Sequence, residues 1–332
     1  MSGGRSLRTD YPFSITRFAM SASLNDLPDA SGSGWPWAAS PPSPSDDCEY
    51  PKISVVTPSY NQAEFLEATL RSVILQNYPN LEYVVIDGGS SDGSVDVIKK
   101  YEPWIDHWVS EPDRGQSHAI NKGFAHCSGQ LATFINSDDM LEPGALVEHA
   151  ETYGYEPGTI YVGNCRIVNA EGSTLRRHTA QVRSLDDLID IPNVWRSQPI
   201  QGHIVQMEVL FPLDLYRRIG GLERSLDFVM DYVLWGEMLL HGGKIRYTDI
   251  DIGIFRQHEA QKTSDRWGVT RSLLSEAIRF ARKHPSWAYD KKEAVIDRLE
   301  EYRREEWRST GRLARLGLPH FLVNSIRRVR EG

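Results

Sequence analysis

The stretch LATFINSDDML, residues 131–141, joins an apolar run to two adjacent carboxylates. Leu131, Ala132, Phe134 and Ile135 predict a strand of a parallel sheet, because such strands are covered on both faces and lose polar alternation. Asn136, Ser137, Asp138 and Asp139 then fall just past its carboxyl end, where open α/β sheets bind ligands. Neighbouring carboxylates at such a tip repel each other. A hard divalent cation carrying a diphosphate compensates them, since Mg²⁺ and Mn²⁺ take oxygen ligands from one or two carboxylates and from phosphates. A solvated turn capping the next helix would use the same two residues, so the pair takes its meaning from the rest of the chain.

On the amino-terminal side, strand and helix patterns alternate. Residues 53–57 predict a strand and 58–61 a loop; Asn61 then caps a helix, with Glu64 as its capping-box acid and Phe65, Leu66, Leu70, Val73 and Ile74 as its apolar stripe. Residues 81–86 predict the next strand, running into DGGSSDG at 87–93; a helix over 94–101, a strand over 107–110 and a helix over 117–126 follow. Such short spacing requires parallel order with right-handed crossovers, so the loops at the strand tips share one edge. On that edge Thr57, Pro58, Ser59, Tyr60 and Asn61 offer small polar groups for a base or ribose and an aromatic face for stacking. Asp87 can accept from a ring imide N–H, and Asp92 from a ribose hydroxyl or a helix terminus. Gly88 lets the backbone pass close to a ligand, and Arg114 in EPDRGQ can pair with a phosphate or a base carbonyl.

Beyond Asp139 the sequence predicts a helix over 143–153, a hairpin of 159–168 with 173–178, and a short capped helix over 184–190. Helices over 213–219 and 228–240 stop at Gly220-Gly221 and Gly242-Gly243, a strand spans 244–250, and the stretch after 265 is mostly helical. Gln201, His203, Gln206 and Glu208 alternate as in an edge strand. His149 and His178 read as surface histidines. The fold class is α/β: a mostly parallel central sheet flanked by helices, with a helical C-terminal extension.

The chain has 332 residues, 40% hydrophobic and 25% charged, an ordinary globular composition. Its net charge of −8 argues against a nucleic-acid partner. Cys48, Cys127 and Cys165 are widely spaced, which suits a reducing compartment and excludes a disulfide framework. No run of about 18 apolar residues is present, so the expected location is cytoplasmic. Residues 1–50 read as a flexible Ser/Pro/Gly-rich tail, in which Trp35-Pro36-Trp37 either docks on the body or stays loose.

Taken together, VVTPSYNQAEFLEATLRSVILQ (55–76), YVVIDGGSSDGS (83–94), SEPDRGQSHAINKGFAHCSGQLATFINSDD (110–139) and GGLERSLDFVMDYVLWGEML (220–239) resemble the family 2 glycosyltransferases of the GT-A fold. The similarity runs over residues 52–258. It implies a Rossmann-like catalytic domain over 51–265, with a nucleotide-binding half (51–140) and an acceptor half (141–265), followed by the helical extension 266–332. It implies nucleotide contacts from Thr57, Pro58, Ser59, Tyr60, Asn61, Asp87, Gly88, Ser90, Asp92, Arg114 and Ser137. The metal-binding acidic motif falls on Asn136-Ser137-Asp138, beginning with Asn where many members have Asp. Asp138 is then the direct ligand of a Mn²⁺ or Mg²⁺, with Asp139 and His258 beside it.

In the same resemblance Asp231 is the general base, with Asp227 a second candidate; Gln116, Asn121, Gln206 and Trp235 face the donor sugar or the acceptor, and Gln201, His203, Gln206 and Glu208 fall where such enzymes shape the acceptor pocket. Arg256 and Lys262 neutralise the leaving group, with Gln261, Thr263 and Ser264 beside them. The implied reaction is an inverting, metal-dependent transfer of a sugar from a nucleoside-diphosphate sugar, a UDP-sugar by preference, to a hydroxyl of a glycan or polyprenyl-linked acceptor in cell-surface polysaccharide synthesis. A sugar-nucleotide or nucleotidyl transferase would instead carry a Gly-rich, basic phosphate loop where Thr57-Pro58-Ser59-Tyr60 stand. An inactive glycan-binding protein on the same fold would lose the carboxylates. The basic C-terminal helices, with Arg308, Arg312, Arg315, Arg327, Arg328 and Arg330, suit contact with an anionic leaflet at the inner face of the plasma membrane. A homo-oligomer contact or packing on the catalytic domain would use the same pattern.

Overall fold

Seven consecutive buried residues, Ile53–Ser59, form β1 of the computed structural model, which describes residues 22–29, 32–38, 41–191, 202–226, 228–258 and 266–314. A chain buried along its whole length must be covered on both faces. The first half does this with α1 (Ala63–Ile74), β2 (Leu81–Asp87), α2 (Ser94–Tyr101), β3 (His107–Ser110), α3 (Gln116–His126) and β4 (Leu131–Phe134). Their order in the sheet is β3-β2-β1-β4, all parallel, with Ile53 opposite both Leu81 and Leu131. Alternate β1 residues serve opposite faces: Val55 packs with Leu66 and Leu70 of α1, Val56 with Ile120 and Phe124 of α3. All four strands therefore end on one edge.

The expected N-cap of α1 is corrected. Asn61 has φ 51° and is tied to the neighbouring loop: its N–H donates to Ser90 Oγ at 2.8 Å and its Oδ1 accepts from Ser91 N–H at 2.9 Å. The helix is capped from that same loop, where Asp92 Oδ2 accepts from Ala63 N–H at 2.8 Å. A cap lent by another loop has no local sequence signature.

The second half contributes β5 (Met140–Leu141), α4 (Ala145–Thr152), β6 (Thr159–Asn169), β7 (Thr174–Thr179), α5 (Leu185–Ile189), β8 (Val209–Pro212), α6 (Leu213–Arg218), α7 (Met230–Leu240), β9 (Lys244–Gln257), α8 (Arg266–Lys283) and α9 (Tyr289–Ala314). The described strands form one nine-stranded mixed sheet that continues from β4 through β8, β6 and β9 to β5, with β7 folded onto β6. Ser184 caps α5 as expected, accepting from Asp187 N–H. β9 is longer than the predicted 244–250 because it pairs in parallel with β6 over nearly its whole length, which carries Arg256 and Gln257 back to the acidic tip.

Three other expectations are corrected. His149 and His178 are fully buried: His149 packs edge-on against Tyr161 with ring centres 4.6 Å apart, and His178 Nε2 lies 2.8 Å from the His203 carbonyl oxygen. Burial lowers the pKa of both, that of His149 to about 4. Residues 203–208 are not an edge strand; Gln206–Glu208 form a 3₁₀ turn under the sheet, where Glu208 is fully buried and Gln206 nearly so. The described parts of residues 22–50, read as a flexible tail, lie against the body. Trp35 Nε1 donates to the Leu141 carbonyl at 2.8 Å, and both tryptophans pack on Ala68, Met140, Val168 and Ile254. Arg71 donates to the carbonyls of Pro28 and Pro36 with its guanidinium over Trp37, so the tryptophan motif docks.

The helical extension closes on α7. Leu273, Leu274, Ala277 and Phe280 of α8 join the core cluster that contains Leu234 and Trp235. Gly236 makes this approach possible, since a Cβ there would lie 2.2 Å from the Phe280 ring. Among the described residues no helix is long and apolar enough to cross a membrane. Gln201, Asp227, Gln261–Ser264, Arg315, Arg327, Arg328 and Arg330 lie outside the described residues, as do the side chains of Arg308 and Arg312.

Candidate functional site

At the tip of β2 the Asp87 side chain is spent on its own loop. Its Oδ2 accepts from Gly89 N–H (3.1 Å), Ser90 N–H (2.8 Å) and Ser110 Oγ (2.6 Å), and its Oδ1 from Ser90 Oγ (2.5 Å). Asp92 likewise holds Ala63 and Ser94. These two carboxylates, expected to touch a nucleotide, bind the loops after β1, β2 and β3 into one unit. Gly88 is where those loops meet: a Cβ there would lie 2.9 Å from Asp113 Oδ2 and 3.2 Å from Tyr60 Cδ2. Tyr60, 63% exposed, stands over this junction.

Next to it opens a cavity of about 740 Å³. Pro58, Ser59, Tyr60 and Gly88 line it from the first two tips, Asp113 and Gln116 from the third, and Asn136, Ser137, Asp138 and Asp139 from the fourth. Gln206, Asp231 and Trp235 line it from the second half of the chain. Thr57 does not; its hydroxyl pairs with Tyr83 OH inside the sheet at 3.0 Å. Asn61, Ser90 and Asp92 brace the loops behind the lining, and Arg114 is exposed beside Asp113. Asn121 is removed from the site by its partners, since it bonds the backbone of Leu222 in both directions and Tyr216 OH, pinning the Gly220-Gly221 turn.

The acidic tip separates its two aspartates. Thr69 Oγ1 bridges the carbonyls of Ser137 (2.9 Å) and Asp139 (2.7 Å), which fixes the turn between β4 and β5. Asp139 is 1% exposed and turned inward: Oδ1 accepts from Arg256 N–H at 3.0 Å and Oδ2 from Asn136 Nδ2 at 3.2 Å. Burial, with the Asp138 charge next to it, holds its carboxyl well above the usual range. Expected among the metal ligands, Asp139 acts as the anchor of the tip. Asn136, which departs from the acidic pattern, is used as a strut; its amide donates to Asp139 and its Oδ1 accepts from Gln116 Nε2 at 2.6 Å.

Asp138 faces the cavity. Its Oδ2 lies 3.0 Å from His258 Nε2, and the imidazole is held at 4.7 Å from the Phe65 ring. Among the described residues no three His, Cys, Asp or Glu side chains converge as a cation site. An oxygen and an imidazole nitrogen side by side fit a divalent cation that draws its remaining ligands from a bound diphosphate.

Asp231 enters from the first turn of α7, where its Oδ1 accepts from Tyr232 N–H at 2.8 Å. Burial pushes its carboxyl above the ordinary range against that hydrogen bond. Immediately before the helix Val229 sits at φ 55°, a left-handed conformation that costs a β-branched residue of the order of 1–3 kcal/mol and clusters at functional sites. Gln206 donates from Nε2 to the Phe134 carbonyl, and Trp235, 1% exposed and packed edge-on with Phe211, lines the cavity from α7.

Phe228, Val229, Met230 and His203 also line the cavity, as do Val269 and Leu273 of α8. Of these only His203 was expected near the site, in the acceptor pocket that the resemblance implied; the others were missed because apolar residues in a helix or leading into one are indistinguishable by pattern from core.

Residues 54–207 match the family described as Glycosyl transferase family 2. An uncharacterized glycosyltransferase of Nostoc, alr2836, is 28% identical over 174 residues, 49% of this chain and 54% of its own length. Across the first curated relatives the match covers between 38% and 54% of their length. Among solved structures, S. aureus TarS in complex with UDP-GlcNAc superposes with a TM-score of 0.56 at 16% identity, over 75% of this chain and 71% of that one. The mannosyltransferase PcManGT of Pyrobaculum calidifontis, in complex with GDP-Man and Mn²⁺, gives 0.53 at 20% identity over 78% and 71%. The fold is that of GT-A glycosyltransferase structures. Residues 54–207, a little under half of the chain, thus match glycosyl transferase family 2, and the sheet that carries them has the GT-A fold.

Proposed function

We propose that the protein transfers a sugar from a nucleoside-diphosphate sugar to an acceptor hydroxyl, with inversion and with the help of a divalent cation. The observation that carries this reading is that Asp138 and Asp231, from separate halves of the sequence, line one cavity. Its polar mouth, with Tyr60 exposed above Ser59, Gly88 and Asp113, takes the nucleotide, the tyrosine stacking on the base. Asp138 and His258 hold the cation, Mn²⁺ or Mg²⁺, whose chemistry is to neutralise the diphosphate as it leaves. Arg256, near the end of β9 two residues before His258 and with its guanidinium over Phe65, adds positive charge behind that pair.

Asp231 accepts the proton of the attacking hydroxyl. A carboxyl raised above its ordinary range is a better match for a base working near neutral pH. The hydroxyl oxygen bonds to the anomeric carbon as the bond to the diphosphate breaks, so no covalent enzyme intermediate is needed. UDP-sugars are the preferred donors of this reading; TarS is solved with UDP-GlcNAc and PcManGT with GDP-Man. The acceptor side suits a lipid-linked acceptor, and the basic C-terminal segment, whose arginine side chains lie outside the described residues, supplies a membrane or oligomer contact.

The deciding experiment is a thermal-shift and hydrolysis screen of UDP-, GDP- and dTDP-sugars with and without Mn²⁺. One nucleotide class should stabilise the protein in a metal-dependent manner. Stabilisation by none of them overturns the reading. Transfer should also rise with pH along a limb above the ordinary aspartate pKa of about 3.9, and Asp231→Asn should abolish that limb.

A further inference from the structure

The cavity has two kinds of wall. The strand tips contribute hydroxyls, amides and carboxylates to the lining, whereas α5, α7, α8 and the segment before the 3₁₀ turn contribute Leu188, Tyr232, Val269, Leu273 and Ile204. Among the described residues of this wall, Tyr232 OH donates to the Leu188 carbonyl. Gln206 gives its Nε2 to the Phe134 carbonyl, whereas its Oε1 and Trp235 Nε1 are buried in the same lining without a protein partner, which leaves them for hydroxyls of a sugar. The His203 backbone is fixed by buried His178. A glycan carries hydroxyls around its whole rim, and each one pressed against these apolar side chains without a partner is penalised. An occupant that puts one hydroxyl at Asp231 and hydrocarbon against the wall meets no such penalty.

We propose that the acceptor carries an alkyl or aryl group close to the hydroxyl that is attacked, and that this group seats against Leu188, Ile204, Tyr232, Val269 and Leu273. The inference rests on the transfer reading above and names its acceptor class. An apolar pocket discriminates by about tenfold or more per methylene it accommodates.

The test uses the full chain with whichever UDP- or GDP-sugar it hydrolyses in Mn²⁺. Methyl, n-octyl and phenyl β-D-glucosides are added below their micellar range. The readout is the concentration that diverts half of the donor into glycosylated product, or inhibits half of its hydrolysis. The octyl glucoside, the phenyl glucoside or both should act at concentrations at least about tenfold lower than the methyl glucoside; which of them does so separates an alkyl from an aryl acceptor. Val269→Asn, at a half-buried position, should raise the concentration for the apolar glucosides and leave that for the methyl glucoside in place. A merely structural defect would move all three. Equal concentrations for the three, or no effect of any, overturns the inference while donor hydrolysis keeps the transfer reading standing. If no donor is bound or hydrolysed, both fall.

Discussion

At the polar end of the cleft each loop is tied to the next by hydrogen bonds: Asp87 to Ser90 and Ser110, Asn61 to Ser90 and Ser91, Asp92 to Ala63. At the apolar end α7 and α8 are held to the sheet by packing, with Phe280 against Gly236 and Leu273 in the core. The first end is a rigid frame of directional bonds, suited to reading a nucleotide whose polar groups sit at fixed angles. The second is shaped by side-chain volume, so it selects by size and hydrophobicity. The two carboxylates assigned to the chemistry stand one on each side, Asp138 on the frame and Asp231 on the packed helix.

The sharpest way to break this division is to remove the two carboxylates separately. Asp231→Asn should lower transfer by roughly 10²- to 10⁴-fold while the metal-dependent thermal shift by the donor survives; Asp138→Ala should lose that shift. Loss of donor stabilisation in Asp231→Asn would merge the two ends into one site. Next in size is Leu273→Ala, which should cost about 2–5 kcal/mol in urea unfolding because it leaves a cavity under α8, with donor affinity changed less than stability.

A smaller effect belongs to the frame. Asp92→Ala removes the borrowed cap of α1, an expected loss of about 0.5–2 kcal/mol, and it should weaken donor stabilisation beyond what unfolding explains, because Asn61, Ser90 and Asp92 share one network. The smallest effect at acidic pH is that of Glu208→Gln. Burial favours the protonated carboxyl of Glu208 in the folded state and raises its pKa well above the ordinary value. The folded protein therefore holds this proton more tightly, and stability falls as pH rises from about 4.3 through the folded pKa. Glu208→Gln removes that dependence, so its melting temperature should gain on the parent between pH 5 and pH 8. A constant difference across that range would show that Glu208 is charged in the fold.

The frame was legible because it is local. Buried strands read as unbroken apolar runs, and each ends in a loop whose composition announces a tip; Asp138, Gly88 and Tyr60, expected on such tips, line the cavity. Legibility failed for what each polar group bonds to. Asp87, Asp92 and Asn121 were taken for ligand contacts, yet each carries hydrogen bonds to backbone and hydroxyl groups of its own or a neighbouring segment. His149, His178 and Glu208 were taken for surface or edge residues and lie inside.

From the amino-acid order alone followed the parallel half of the sheet, the edge on which its tips collect and the carboxylates that stand there, because burial and turn chemistry act over a few residues. Folding in three dimensions decided that Asp139 turns inward while Asp138 stays open, that α8 walls the inner cavity and that Trp35 docks. Those outcomes depend on which distant segments pack together, here β9 beside β6 and α8 upon α7, and no short-range pattern encodes such a partner.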